Sequence, residues 1–203
     1  MEKFNILTGT AAPMMDDNIN TDAIIPTAWI VNVGSDWGRG LFGNWRRGRD
    51  GKDLPDFVLN RPKYRDCRIL VAGRNFACGS SREEAVWALL GFGIRCVIAP
   101  SFGDIFFDSA FKNGLLPVVL PVDRVKQIAA SVDAGEQSEM TVDLVRCSLT
   151  APDGTAIAFT VDETRRAPLL QGRDDIDRTL ALVSQIEAFQ SADKTRRPWI
   201  YRS

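Results

Sequence analysis

Between Arg68 and Leu120 three short apolar runs, RILVAG (68–73), CVIAP (96–100) and LLPVVL (115–120), are separated by two stretches of helical pattern. That alternation constrains the fold more than any other feature. Short runs rich in Val, Ile and Leu read as buried strands, and strands divided by helical segments are joined by crossovers, which makes them parallel. The helical stretches cover 80–91 and about 103–113, and a further helix over VDRVKQIAASVDAG ends at Gly135. FNILTG (4–9) is a short strand, and TVDLVRCSLTA and TAIAFTV on either side of PDG read as a hairpin over 141–161. The expectation is one α/β domain with a mixed, partly parallel sheet and crossover helices.

The remaining segments are less regular. NINTDAIIP (18–26) joins an Asn/Asp turn to a short apolar run stopped by Pro26, so that Asp22 reads either as an Asx-turn residue or as a site residue. Trp29 and Ile30, in the apolar run TAWIVNV, read as core or as pocket wall. SDWGRGLFGNWRRGRDGKD (35–53) is rich in glycine and arginine, with little periodicity and little to bury, and is expected to be a mobile loop. Its GRGLFG spells G-x-G-x-x-G, but no strand precedes it and no helix follows, so it is not a dinucleotide fingerprint. Arg39, Arg46, Arg47 and Arg49 suit an acidic ligand or partner as well as they suit a solvated loop. Near the C-terminus Ile176, Leu180, Val183 and Ile186 form an apolar stripe at helical spacing. The domain is expected to span 1–190. The tail 191–203, with KTRRPWIYRS, carries no core signal and reads as a frayed end or a handle for a partner.

Composition narrows the chemistry. A formal net charge of −1 and a pI of about 5.6 leave no global basic field for nucleic acid. No apolar stretch approaches a membrane span of roughly 20 residues, and the first residues lack a signal-type apolar core, so a cytoplasmic protein is expected. Cys67, Cys78, Cys96 and Cys147 are widely spaced with no C-x-x-C, which fits reduced thiols rather than a disulfide frame or a metal site. The chain has 0 histidines. A Ser-His-Asp triad, a Cys-His pair and a His-based metal site are therefore impossible within it. Acid–base work, if done, uses other groups or a partner.

RNFACGSSREEAVWALLGFG (74–93) runs from the end of a strand into a helix expected to begin near Ser80. A helix start exposes unpaired N–H groups and carries about half a positive charge, and Gly79 lets backbone approach a ligand. With two hydroxyls and the Arg82 guanidinium beside it, this is a receptor for a carboxylate or phosphate at a strand's carboxyl end. Ser80-x-x-Glu83 and Ser81-x-x-Glu84 also both spell a capping box. From spacing alone, capping and anion binding both remain open.

Three stretches taken together, NTDAIIP (20–26), NFACGSSRE (75–83) and IAPSFGDIFFDSAFKNGLLPV (98–118), resemble the small subunit of isopropylmalate isomerase, or 3-isopropylmalate dehydratase. That family is related to the swivelling C-terminal domain of aconitase. Order and spacing match from about residue 3 to the helix ending near Phe189. The resemblance implies a swivel domain that covers the active site of an aconitase-like large subunit, which carries a [4Fe–4S] cluster; this chain would bind no metal. The reaction would remove water from 2-isopropylmalate and add it back to give 3-isopropylmalate, a step of leucine biosynthesis.

By position, the resemblance makes Ser80 the base and Arg82 the residue that grips a substrate carboxylate. Ser81 would assist binding, and Asp22 would be a site aspartate that orients other groups. Trp29, Ile30 and Val31 fall where relatives select the substrate side chain, and all three are apolar, as an isopropyl group requires. Three positions depart from the family pattern. Glu84 stands in place of a histidine, Val86 in place of a proline, and Ser35 where an arginine for a substrate carboxylate is usual, with Arg39 the nearest arginine. These departures keep open a related dehydratase acting on another alkylmalate or citramalate-type dicarboxylate. A non-catalytic binding subunit is the third alternative.

Overall fold

In the computed structural model, which describes residues 1–32, 36–79, 82–134 and 138–201, the first strand is the hinge of the sheet. Strand β1 (Ile6–Met14) is longer than the expected 4–9. Its first half, Ile6–Thr10, pairs antiparallel with β5 (Glu139–Asp143), and its second half, Thr10–Met14, pairs parallel with β2 (Cys67–Ala72). The register shifts between Thr10 and Ala11, where the two halves meet. From β2 the parallel half continues to β3 (Cys96–Ala99) and β4 (Leu116–Val119). The order is β4-β3-β2-β1-β5-β6-β7, seven strands in one mixed sheet. RILVAG, CVIAP and LLPVVL thus form strands within a residue or so of the expected limits. β3 is buried along its whole length and β2 at all but one position, as strands covered on both faces should be.

The crossovers are helices. α5 (Glu83–Phe92) links β2 to β3 and α6 (Asp104–Asn113) links β3 to β4. Gly93 and Gly114 close these helices in the left-handed conformation that glycine adopts without strain. Helix α7 (Val122–Ala134) packs on β1, β2 and β3 through Val125, Ile128, Ala129 and Val132, an i, i+3, i+4, i+7 stripe. Gly135, expected to end it, lies outside the described residues.

The expected hairpin is a three-stranded meander. The run TVDLVRCSLTA does not stay extended: the chain turns at Leu144–Cys147, where the Asp143 carboxylate accepts from the Arg146 N–H at 2.9 Å and Cys147 has φ 51°. β5 therefore pairs antiparallel with β6 (Ser148–Thr150) before β6 pairs with β7 (Ala156–Ala158) around PDG.

Between β1 and β2 the chain makes α1 (Thr21–Ile24), α2 (Thr27–Asn32), α3 (Trp37–Gly40), α4 (Gly43–Arg46) and two 3-10 turns. This corrects the expectation of a loop with little to bury over 35–53; Ser35 itself lies outside the described residues. Leu41 and Phe42 are fully buried, and the buried Arg46 donates to the carbonyls of Gly38 (3.3 Å) and Arg39 (2.9 Å) from beneath the Phe92 ring. Burial, reinforced by Arg47 next to it, lowers the Arg46 pKa. The glycines serve packing: a side chain on Gly38 would collide with the backbone of Gly91 in α5. A segment folded by its own contacts counts against a lid that opens as a whole.

After α8 (Glu163–Gln171) the chain is largely exposed, although Asp174, Asp175 and Arg178 line a cavity of about 280 Å³ with Met1, Asp108 and Phe111 of the body. α9 (Asp175–Leu180) and α10 (Val183–Arg196) are followed by a 3-10 turn at Pro198–Tyr201. The stripe Ile176, Leu180, Val183, Ile186 is helical but exposed, and α10 runs through residue 190.

Candidate active site

The carboxyl ends of β1, β2 and β3 lead into three segments that lie side by side. The Thr21 N–H donates to the Cys78 carbonyl at 3.0 Å, and Asn20 and Cys78 form a parallel bridge. On the other side Phe76 bridges Phe102: the Phe76 N–H donates to Ser101 O at 3.0 Å, and the Gly103 N–H to Phe76 O at 2.9 Å. Side chains fasten the same seams. The Asn75 amide donates to Asn18 Oδ1 at 2.8 Å, the Asn75 N–H donates to Ser101 Oγ at 2.9 Å, and the Arg74 N–H donates to the Asp17 carboxylate at 2.6 Å. NTD, NFACG and APSFG, far apart in sequence, thus form one surface.

The middle segment is strained. Asn75 (φ 54°) and Ala77 (φ 57°) are left-handed, and so is Asn18 (φ 60°) facing them. Asparagine tolerates this conformation, whereas alanine pays about 1–2 kcal/mol for it. Gly103 lets the loop close: a Cβ there would sit 2.5 Å from Ala77 O. Between these segments opens a cleft of about 310 Å³ lined by Thr21, Asn75, Cys78, Gly79, Phe102 and Asp104, among others.

Arg82 stands at the other side of Gly79 in sequence. Its backbone is extended (φ −133°, ψ 106°), and it is the N-cap of α5 with no side-chain capping bond. The helix therefore starts at Glu83, not near Ser80. Neither capping-box register holds, because each would require Arg82 to be helical already. Ser80 and Ser81 lie outside the described residues. The Arg82 guanidinium, 23% exposed as a side chain, pairs with Asp22 Oδ1 at 2.6 Å and donates to Thr27 Oγ1 at 3.1 Å and Ile25 O at 3.3 Å. Asp22 is thus an ion-pair partner inside α1; the Asx role belongs to Asn20, which caps that helix by accepting from the Ala23 N–H at 2.8 Å.

The expected wall residues sit apart from this pair. Trp29 is packed on α4, donating to Asn44 Oδ1 at 3.3 Å with the Arg47 guanidinium 4.9 Å over its ring. Ile30 is half-buried and Val31 is 78% exposed. Arg39 is exposed. Among the described residues no hydrogen bond, ion pair or ring contact joins these four to Arg82 or Asp22. Trp29, Ile30 and Val31 share α2 with Thr27, whose hydroxyl accepts a hydrogen bond from Arg82. Glu83 is turned toward α6, accepting from Asn113 at 2.8 Å, while Glu84 is half-buried and Val86 fully buried.

The aconitase C-terminal domain model matches residues 1–123, and a second model, LeuD_N, matches 126–163. Proteins named 3-isopropylmalate dehydratase small subunit from Paramagnetospirillum magneticum and Dinoroseobacter shibae are 51% and 50% identical over 201 residues, covering 98% of this chain and 100% of each relative. The chain belongs to the family of 3-isopropylmalate dehydratase small subunits. A crystal structure of 3-isopropylmalate dehydratase from Methanocaldococcus jannaschii matches it with a TM-score of 0.62 at 25% identity, covering 93% of this chain and 99% of that one.

Members of a family related to aconitase raise the question of an iron–sulfur cluster, and the thiols of this chain do not fit one. Cys67 and Cys96 are buried in β2 and β3; burial pushes the Cys67 thiol up to about 12 and raises Cys96 further, so neither is a thiolate at neutral pH. Cys78 is at the cleft and Cys147 is in the β5–β6 turn. Among the described residues no group of three or more His, Cys, Asp or Glu is placed to hold a metal ion, and no helix is long and apolar enough to cross a membrane. Sequence reasoning gave no site role to Asn75, Cys78 and Asp104, which line the cleft, or to Ser101, which accepts from the Asn75 N–H. The available signal was conformational: Asn18 and Asn75 are the residue type that enters left-handed backbone most readily.

Proposed function

We propose that this chain is the small subunit of a hydro-lyase that converts 2-isopropylmalate to 3-isopropylmalate in leucine biosynthesis. It works only with an aconitase-like large subunit, which carries the [4Fe–4S] cluster. The observation that carries this reading is the full-length likeness, at 47–51% identity, to chains named small subunit of that enzyme. The cleft at the carboxyl ends of β1–β3 supports it, and so does an arginine fork beside the cleft segments. A cytoplasmic setting goes with the same reading.

In this reading Ser80 takes the proton from the carbon next to a substrate carboxylate, and the hydroxyl on the neighbouring carbon leaves as water with a second proton, which an acid of the large subunit would supply and take back on rehydration. Water then adds back with the opposite regiochemistry, and Ser80 returns the proton. A serine oxygen acts as a base only where its alkoxide is stabilised. Two features favour that: the first-turn N–H groups of α5, which the Arg82 side chain does not cap, and the guanidinium of Arg82. Arg82 grips a carboxylate with the N–H groups left by its own chain, Ser81 and Asp22 assist, and Trp29, Ile30, Val31 and Arg39 form the wall once the large subunit closes the site.

Co-expression with the cognate large subunit and assay on a panel of alkylmalates tests this. Ser80→Ala is expected to lower kcat by about 10²–10⁴-fold with the complex still assembled. A near wild-type rate would remove Ser80 from the chemistry. Turnover of another malate with none of 2-isopropylmalate would overturn the substrate assignment.

A further inference from the structure

Every residue from Asp175 to Ala192 is exposed, and among the described residues the hydrogen bonds of 174–201 all close within that segment. The arm has internal order: Asp174 and Asp177 form a capping box on α9, and Arg197 and Tyr201 both bond the Asp193 carboxylate, folding the last turn onto α10. It nevertheless lacks what stabilises a helix in water. Helices of 6 and 14 residues are at or below the length that is marginal alone, so burial of an apolar face must supply the rest.

That face is present and uncovered. Val183, Ile186 and Phe189 follow at i, i+3 and i+6 on α10, Ile176 and Leu180 at i and i+4 on α9, and Trp199 stands in the final turn. Their exposures run from 37% for Ile186 to 70% for Ile176. Together the six leave roughly 450 Å² of apolar surface in water, taking full burial as about 100 Å² per aliphatic and 200 Å² per aromatic side chain. A standard-size interface takes about 800 Å² from each partner, a little over half of it apolar. The arm alone supplies that apolar half.

The comparisons choose the occupant. The aconitase C-terminal domain model ends at residue 123 and LeuD_N at residue 163, so the arm lies outside both. The relatives named small subunit match 98% of this chain, a coverage that includes the arm. In those relatives the domain is named as a separate subunit, and a separate chain must be held by contacts instead of a covalent link. We infer that the apolar face of residues 174–201 is the clamp by which this chain docks on its large subunit. This rests on the two-subunit reading above.

The test compares the full-length wild type with the double variant Ile186→Gln, Phe189→Gln, which keeps good helix formers on α10. Affinity for the purified large subunit is measured by titration calorimetry, self-association by sedimentation velocity, and folding by thermal melting. The variant is expected to melt like the wild type, because Ile186 and Phe189 are exposed in the isolated chain, and to bind the large subunit at least a hundredfold more weakly. Unchanged affinity overturns the inference. So does a wild-type dimer that the variant dissociates while affinity for the large subunit is retained, since the face would then belong to a second copy. A wild type that itself fails to bind the large subunit brings down the two-subunit reading, and this docking with it.

Discussion

Arg82 donates in three directions within its own chain, to Asp22, to the Ile25 carbonyl and to the Thr27 hydroxyl. Of its five N–H groups, the Nε proton and one on Nη2 take no partner among the described residues. Asp22, with a side chain 59% exposed, therefore either orients the fork for a substrate carboxylate or occupies the place that carboxylate would take. The fixed contacts on Nη1 favour orientation, because they hold the guanidinium plane whether or not a ligand is present. Asp22→Asn is expected to leave melting unchanged and to lower kcat/KM by about ten- to a hundredfold, mostly through KM, the scale of one charge-assisted hydrogen bond. A variant with equal or higher kcat/KM would show that Asp22 competes with the substrate. Neither role is visible in NTDAIIP as a string. The pairing spans 60 residues of sequence, and only the stacking of three strand ends brings the two charges together.

At the level of elements, the contact between α3 and α5 carries the most information. Gly38 and Gly91 meet backbone to backbone: a Cβ built on Gly91 would lie 2.6 Å from Gly38 N. No flexible side chain can yield there. Gly91→Ala would favour α5 by helix propensity, by up to about 1 kcal/mol, but must push α3 away, at an overpacking cost of about 1–3 kcal/mol. The net effect expected is a melting point lower by several degrees, with the α3–α4 segment more open to proteolysis near Arg39. A stabilised variant would mean that α3 does not sit against α5 in solution. The strands of the parallel half were legible because their apolar runs are short, dense and bounded by Gly or Pro. The 35–53 segment was not, because a glycine used for close approach is indistinguishable in sequence from one used for flexibility. The start of α5 was misplaced for a related reason. Two adjacent capping boxes compete, and the extended backbone of Arg82 satisfies neither.

At the scale of the whole molecule, the sheet divides the labour: the parallel half brings strand ends to the cleft, while the antiparallel meander holds α8, whose Arg166 donates to the carbonyls of Leu144 and Val145. Among the described residues of the body no group of three or more His, Cys, Asp or Glu is placed to hold a metal ion. The thiols are spread over β2, the cleft, β3 and the β5–β6 turn, and those in the strands stay protonated well above neutral pH. Because the Cys67 thiol ionises near 12 when folded and near 8.5–9 when unfolded, the unfolded chain loses its proton first as pH rises. The contribution to stability is therefore complete below about pH 8.5 and declines between there and pH 12, by up to about 1.4 kcal/mol per pH unit for this group. Nothing in that linkage depends on iron. The purified chain is accordingly expected to be colourless, to carry no stoichiometric iron after anaerobic reconstitution with iron and sulfide, and to melt at the same temperature with or without a chelator. Brown colour would follow the large subunit through chromatography, and activity would appear only on mixing. A cluster retained by the isolated chain and lost in a Cys78→Ser variant would contradict this assignment, since Cys78 is the thiol at the cleft and would then be a ligand rather than a wall.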